Sequence, residues 1–272
     1  MTIEIAGLYR YPLKSGAALA ETEITALETG FKYDRCAMLI DSNDKFLTQR
    51  AIPKLAFMRL KKIDDGRWEL RYRDQAIIWE EKFEKTRPAT VWNDHLEAYE
   101  QGEEIDNFVS QALGKKTRLV LAGPQTERPV NPKRTPRPMQ QLFADGYPYL
   151  ITSTTSLEDL QKRITTGEQI PMNRFRPNIV LSGIEEAFAE DNIDRLKIGD
   201  CVFKVTHPCV RCVVTTTDQK TAVRGVEPIK TLASYRNFKE HGGICFGVNA
   251  ILLDGAGKSV SKDDQVEIIS QK

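Results

Sequence analysis

Five of the chain's 13 prolines fall between residues 124 and 138, and no other stretch limits the fold as strongly. Proline fixes φ and offers no backbone N–H, so a regular helix or ladder does not continue through Pro124, Pro129, Pro132, Pro136 and Pro138. A chain of 272 residues is long enough for two modest domains, each able to bury a core. The stretch therefore predicts a junction, with one domain over 1–123 and another over 124–272. Arg128, Lys133, Arg134 and Arg137 lie within it. They admit two readings: a solvated connector, or an extended basic strap passing a site that holds an anion.

Short apolar runs broken by polar turns occur on both sides of the junction. Ile3-Glu4-Ile5 and Trp68-Glu69-Leu70-Arg71-Tyr72 alternate, and Cys36 to Ile40 is a continuous apolar run. Asp41 to Asp44 and Asp64-Asp65-Gly66 are turn signals between such runs. Residues 103–114 carry apolar positions at helical spacing and stop on Gly114. In the second half, 156–163 reads as a helix with Ser156 or Thr155 as N-cap. Residues 178–183 read as a strand and 196–205 as a hairpin about Gly199-Asp200. Further strands are expected at 212–217, 248–253 and 265–269, with a helix over 229–240. The fold class is mainly β (α+β): a β-barrel-like N-terminal domain and a second β-barrel domain with a few helices.

Lys plus Arg total 39 against 38 Asp plus Glu, so the basic excess of a general nucleic-acid binder is missing. The first residues begin a strand-like alternation without a signal-peptide pattern, and no apolar run reaches the ~18 residues of a membrane span. These features predict a soluble, cytoplasmic protein. Five cysteines, an odd number, argue for a reducing compartment over a disulfide scaffold.

Four of the five cysteines lie between 201 and 245, and the run Pro208-Cys-Val-Arg-Cys-Val-Val-Thr-Thr-Thr-Asp218 is the most informative for chemistry. Arg211 precedes Cys212, and a neighbouring guanidinium favours the thiolate, which is both nucleophile and soft metal ligand. Cys209 and Cys212 offer half of a zinc site that Cys201, His207, His241 and Cys245 would have to complete. No second close cysteine pair supports that reading. A dithiol redox pair lacks a surrounding βαβ pattern, and the plainest alternative is two small buried hydrophobes. Three other clusters look built for anions: Tyr11-Pro-Leu-Lys-Ser15, Tyr33-Asp-Arg-Cys36 and Asn173-Arg-Phe-Arg-Pro-Asn178. With Arg211 they suggest a pocket for a phosphorylated cofactor.

Taken in order, these blocks resemble the MOSC family, in the branch that joins an N-terminal β-barrel domain to the MOSC domain. The resemblance also rests on Thr48-Gln-Arg50, Phe143-Ala-Asp-Gly-Tyr-Pro148, Ile198-Gly-Asp200, Glu227-Pro-x-x-Thr-Leu-x-x-Tyr-Arg236 and Phe246-Gly247. It implies a molybdenum cofactor (molybdopterin) bound between the domains, with Cys212 as the metal's thiolate ligand. Lys14, Ser15, Arg35, Arg176, Asn178 and Arg211 match positions that cradle the phosphate and pterin. Cys209 matches a less critical second cysteine, and Asp145 an acidic position near the metal that is expected to relay a proton. The activity implied is reduction of N-hydroxylated compounds (amidoximes, hydroxylamines, N-hydroxy bases), the type of reaction by which relatives detoxify N-hydroxylated bases. A non-catalytic carrier of the cofactor or its sulfur is the alternative. Some relatives carry an iron–sulfur domain after the MOSC domain and no such cysteine cluster follows here, so either the electron donor is a separate flavin or iron–sulfur reductase, as expected, or the sequence is part of a longer chain. One departure stands out: Gln219 follows Asp218 where the family often has proline.

Overall fold

The computed structural model describes residues 2–272 and is mainly β, with the helices few and short. The longest helix, Glu103–Leu113, ends on Gly114 in the left-handed region at φ 66°, as its sequence predicts. No helix among the described residues is long and apolar enough to cross a membrane.

In the first half, the strands Ala37–Ile40, Arg118–Leu121, Asp94–Glu100 and Thr86–Val91 form one antiparallel sheet in that order. All four residues of Ala37–Ile40 are buried because both faces of the sheet are covered. Ala37 and Leu39 join a core with Trp68, Leu70 and Val109, while Met38 and Ile40 pack with Val91, Val120 and Phe143. A strand covered on both sides reads as a continuous apolar run. The neighbouring strands Met58–Lys62, Arg67–Tyr72 and Gln75–Glu80 form a second sheet, and the first two alternate buried and open positions.

A nine-stranded sheet dominates the second half, and it recruits the start of the chain. Eight of its strands run Val266–Gln271, Ile193–Ile198, Cys201–Val210, Gly243–Asp254, Tyr149–Ser153, Ile179–Ser182, Glu4–Arg10, Leu19–Glu21, and the ninth, Asn237–Phe238, pairs with Gly243–Asp254 off this path. Glu4–Arg10 pairs antiparallel with Ile179–Ser182, and Glu23–Leu27 pairs with Ser259–Ser261. Ile5, Leu8, Ile24, Ala26 and Phe31 therefore share one core with Phe203, Val248 and Leu252. The hydrogen-bonded sheets interleave the two halves even though the proline stretch lies between them in sequence.

Three local expectations are corrected. Residues 212–217 are not a strand: the chain leaves Cys201–Val210 and turns into a 3₁₀ helix over Val213–Thr216. The helix expected over 229–240 stops at Ala233, because Asn237–Phe238 pairs with Gly243–Asp254 and Arg236 is drawn onto Asp191. The helix expected at 156 begins at Thr154, with Ser153 as the cap that accepts from the Ser156 N–H. That early start is sustained inside the protein, where the Ser153 and Ser156 hydroxyls donate to the buried Glu190 carboxyl group.

Tyr149 is one of the side chains that lock the interleaved sheets. Its buried hydroxyl donates to the Leu27 carbonyl at 2.5 Å and accepts from the Leu27 N–H at 3.1 Å. Tyr149→Phe strands both backbone groups, and urea unfolding should show a loss of about 1–3 kcal/mol.

Candidate functional site

Five chain segments meet at a cleft of about 130 Å³ between the halves. The loop after Glu4–Arg10 brings Lys14 and Ser15, and the turn before Ala37–Ile40 brings Arg35. The loop entering Ile179–Ser182 brings Arg176 and Asn178. The end of Cys201–Val210 delivers Cys209, Arg211 and Cys212. Asp145, on the connection leading into Tyr149–Ser153, closes the ring. Every site residue expected from the sequence lines this one cleft.

The backbone is bent sharply to achieve this. Ser15, Arg35 and Arg176 all have positive φ, at 63°, 46° and 59°. Non-glycine residues reach this region at a cost, which the surrounding hydrogen bonds must offset. Arg35 donates to the Asp34 carboxylate, to Asn178 Oδ1 at 3.1 Å and to the Arg176 carbonyl at 3.0 Å. Asn178 also accepts from the Leu150 N–H at 3.2 Å and donates to the Tyr9 carbonyl at 3.2 Å. It therefore holds Arg35 and ties two strands together. Arg176 donates to the Gly16 carbonyl at 2.6 Å, and both Arg35 and Arg176 lie 4.3 Å from the centre of the Tyr11 ring.

Charge in the cleft is one-sided. Lys14, Arg35, Arg50, Arg176 and Arg211 line it, against the single carboxylate of Asp145. Burial, with the Arg35 charge adding to it, pulls the Arg176 pKa down to about 10, so Arg176 remains a cation at neutral pH. Burial likewise lowers Lys14, partly offset by Asp145, which accepts from Lys14 Nζ at 2.6 Å. Crowding by neighbouring protein opposes ionisation of Asp145, although its side chain is 65% exposed, and the Lys14 ammonium outweighs it and holds the carboxyl well below the usual carboxylate range. Asp145 is thus an acceptor at neutral pH. The Arg211 Nε is buried without a protein partner. Such an orphaned donor in a cationic cleft suits an anionic, oxygen-rich ligand.

Two arginines depart from their sequence neighbourhoods. Arg211 does not serve Cys212: it donates to Cys209 Sγ at 3.0 Å and to the Phe175 carbonyl at 2.5 Å. The cation beside Cys212 is Arg50 from the first half, whose Nε lies 3.5 Å from Sγ. In the sequence Arg50 stands out only within the Thr48-Gln-Arg50 block, because nothing local ties residue 50 to residue 212. Arg174 turns away from the cleft to the Thr216 carbonyl, Glu168 and Asp218, and so pins the turn that follows Cys212.

Cys212 itself is exposed, while Cys36, Cys201 and Cys245 are buried. Among the described residues no group of three or more His, Cys, Asp or Glu side chains comes together to hold a metal ion. The zinc reading therefore lacks its donors. The basic strap is also absent from the cleft. Arg137 pairs with Glu28, and Arg128 is buried against Asp94 and the carbonyls of Leu142, Ala144 and Asp145. Arg128 thereby supports the loop that carries Asp145.

The MOSC N-terminal beta barrel domain matches residues 2–116, and the MOSC domain matches residues 138–267. The chain belongs to the MOSC family. It is 33% identical over 245 residues to mitochondrial amidoxime-reducing component 1 of Homo sapiens, spanning 85% of this chain and 72% of that protein. The Mus musculus counterpart is 32% identical over 249 residues, spanning 85% and 71%. Molybdenum cofactor sulfurase of Danio rerio is 29% identical over 267 residues, which is 90% of this chain and 31% of that protein.

Asp145→Asn tests the ion pair. A carboxyl depressed by folding adds stability above its unfolded pKa, and that stability is lost as pH falls through the folded value. The variant should be less stable than the parent at pH 7, with the gap narrowing once pH drops below about 4. Denaturant unfolding at a series of pH values reads this, and a constant gap would remove the pair from the account.

Proposed function

We propose that the cleft holds a molybdenum cofactor with Cys212 as its thiolate ligand, and that the chain reduces N-hydroxylated compounds such as amidoximes, hydroxylamines and N-hydroxy bases. Electrons come from a separate flavin or iron–sulfur reductase. The observation that carries this reading is the convergence of one exposed sulfur with five cations on a single cleft. The amidoxime-reducing relatives, matched over some 70% of their length, support the same assignment.

The donor set fits such a group. A thiolate suits a soft-ligand metal, and guanidinium groups suit a phosphate. Arg176, Ser15 and the orphaned Arg211 Nε would hold it. Arg35 acts through the Arg176 backbone and Asn178. When bound, the cofactor supplies two-electron redox chemistry. The reaction consumes two electrons and two protons, breaks the N–O bond, and leaves an N–H group and water. Lys14 Nζ, less stable as a cation because it is buried, holds a proton at the cleft wall. Asp145 Oδ1, more open to solvent and bonded to Lys14, is the route by which that proton is replaced.

Cys212→Ala should keep its circular dichroism and melting profile. It should lose bound molybdenum and lower amidoxime reduction with a reconstituted donor by more than about 100-fold. Unchanged turnover would overturn the assignment. Tight cofactor binding by the parent chain, with transfer to an apo-enzyme and no turnover, would replace the reductase by a carrier.

A further inference from the structure

Arg50 is held differently from most of the cleft's cations. Lys14, Arg35 and Arg211 direct donors to two or more protein acceptors each. Arg50 directs only Nε to a protein acceptor, the Cys212 sulfur, and among the described residues neither Nη has one. Its guanidinium lies 4.2 Å from the centre of the Trp92 ring, which fixes one face and leaves the fork of Nη groups available. Asp145, the nearby carboxylate, is already engaged by Lys14 and by Trp92 Nε1 at 3.2 Å.

The backbone behind this side chain is clamped from the other half of the molecule. Arg224 Nη2 donates to the Gln49 carbonyl at 2.8 Å and to the Arg50 carbonyl at 2.9 Å. The wholly buried Gln49 exchanges both amide hydrogen bonds with Gln219, at 3.1 and 3.0 Å, and also donates to the Ser15 carbonyl at 2.9 Å. Gln219 donates in addition to the Thr217 carbonyl at 2.9 Å, inside a turn whose Asp218 carboxylate accepts from the Lys220 and Thr221 N–H groups. A proline at 219 would remove the amide that makes this exchange.

We propose that Arg50 is the specificity-determining residue of the cleft, receiving a carboxylate of the incoming molecule beside Cys212, and that Gln49, Gln219 and Arg224 are positioning residues that keep it there. A free, planar, stacked guanidinium fork matches a carboxylate in two-point contact. The substrate class narrows accordingly to N-hydroxy compounds that also carry a carboxylate. That narrowing rests on the proposed reductase activity, whereas the placement of Arg50 over Cys212 does not.

The first test uses the full chain produced without cofactor, alkylated separately with iodoacetate and iodoacetamide. Each reagent forms the same S–C bond and expels iodide, so the ratio of the two rates cancels the fraction of sulfur that is ionised. Trypsin cuts after Arg211, which puts Cys209 and Cys212 on different peptides for mass spectrometry. Two unit charges about 4 Å apart in water imply roughly a fivefold preference. Arg50→Gln should therefore lower the iodoacetate-to-iodoacetamide ratio at Cys212 about fivefold. Arg50→Lys should retain part of the preference, and Arg71→Gln, the same charge loss at an exposed arginine outside the cleft, should leave it unchanged. Gln49→Ala and Gln219→Ala should each lower the ratio part-way, and the double variant no further than either, because one reciprocal pair is lost once. An unchanged ratio in Arg50→Gln overturns the placement, and unchanged ratios in both glutamine variants overturn the positioning role. The second test loads the chain with cofactor and compares a carboxylated N-hydroxy substrate with its amide. If Arg50→Gln leaves the ratio of their kcat/KM values as in the parent, the specificity assignment fails while the reductase stands. No turnover of either substrate by the loaded parent counts against the reductase reading, and the alkylation ratio still decides the placement of Arg50.

Discussion

The pairing of Glu4–Arg10 with Ile179–Ser182 is the contact on which the cleft depends. Its register sets Leu8 opposite Ile179, and just beyond it the Tyr9 N–H donates to the Asn178 carbonyl at 2.9 Å. The two loops that leave this pair, one carrying Lys14 and Ser15 and the other Arg176, are thereby placed side by side although some 160 residues separate them. A one-residue slip would reverse every side chain of the strand and send Ile5 and Leu8 out of the core. The apolar pattern of a seven-residue strand thus fixes the geometry of a polar site.

Electrostatics and backbone strain are connected at that site. Like charges crowded in a half-closed cleft repel, and the chain tolerates them only because most of their donors are already satisfied. Arg35 is saturated by Asp34, Asn178 and a carbonyl, and Lys14 by Asp145 and the Phe143 carbonyl. Donors that remain open include Arg176, Arg211 Nε, the Ser15 hydroxyl and the Nη groups of Arg50. The saturated cations shape the local field, and the open donors mark where an anion has hydrogen bonds to gain. The positive φ values at Ser15, Arg35 and Arg176 fall on the same loops, where the cost of strain is offset by these hydrogen bonds.

Much of this was legible in the sequence where the signal was local or periodic. The alternation at 67–72, the stop at Gly114 and the hairpin at Gly199-Asp200 all appear as expected. The expected site residues stand out by type and by family resemblance, and they share one cleft. Three things were hidden. The β-branched residues after Cys212 suggest a strand, but Thr215 folds back, its N–H and hydroxyl both donating to the Cys212 carbonyl. The adjacency of Arg211 and Cys212 suggested a charge partner, but extended backbone sends successive side chains to opposite sides. Arg50 stands out only within the Thr48-Gln-Arg50 block, because its placement beside Cys212 depends on contacts of residues 219 and 224 that only the folded chain makes.

The turn after Cys212 explains why the sulfur is exposed at all. Had residues 212–217 continued the strand, Val213 and Val214 would compete for the sheet faces and the thiol's side would be set by alternation alone. Instead Pro208 and the irregular register at Val205/His207 and Pro208/Val210 weaken pairing with Gly243–Asp254 just before the cysteine. The chain is then free to turn, and Thr215, Thr216 and Arg174 fix the new direction through the Cys212, Val213 and Thr216 carbonyls. The buried polar threonines, otherwise costly, thus serve as the anchors of a rigid turn. A reactive sulfur on a mobile loop would sample many positions relative to Arg50, whereas one on a turn anchored from both halves of the molecule is held in a narrow range. That constraint is what allows so few open donors to define a site.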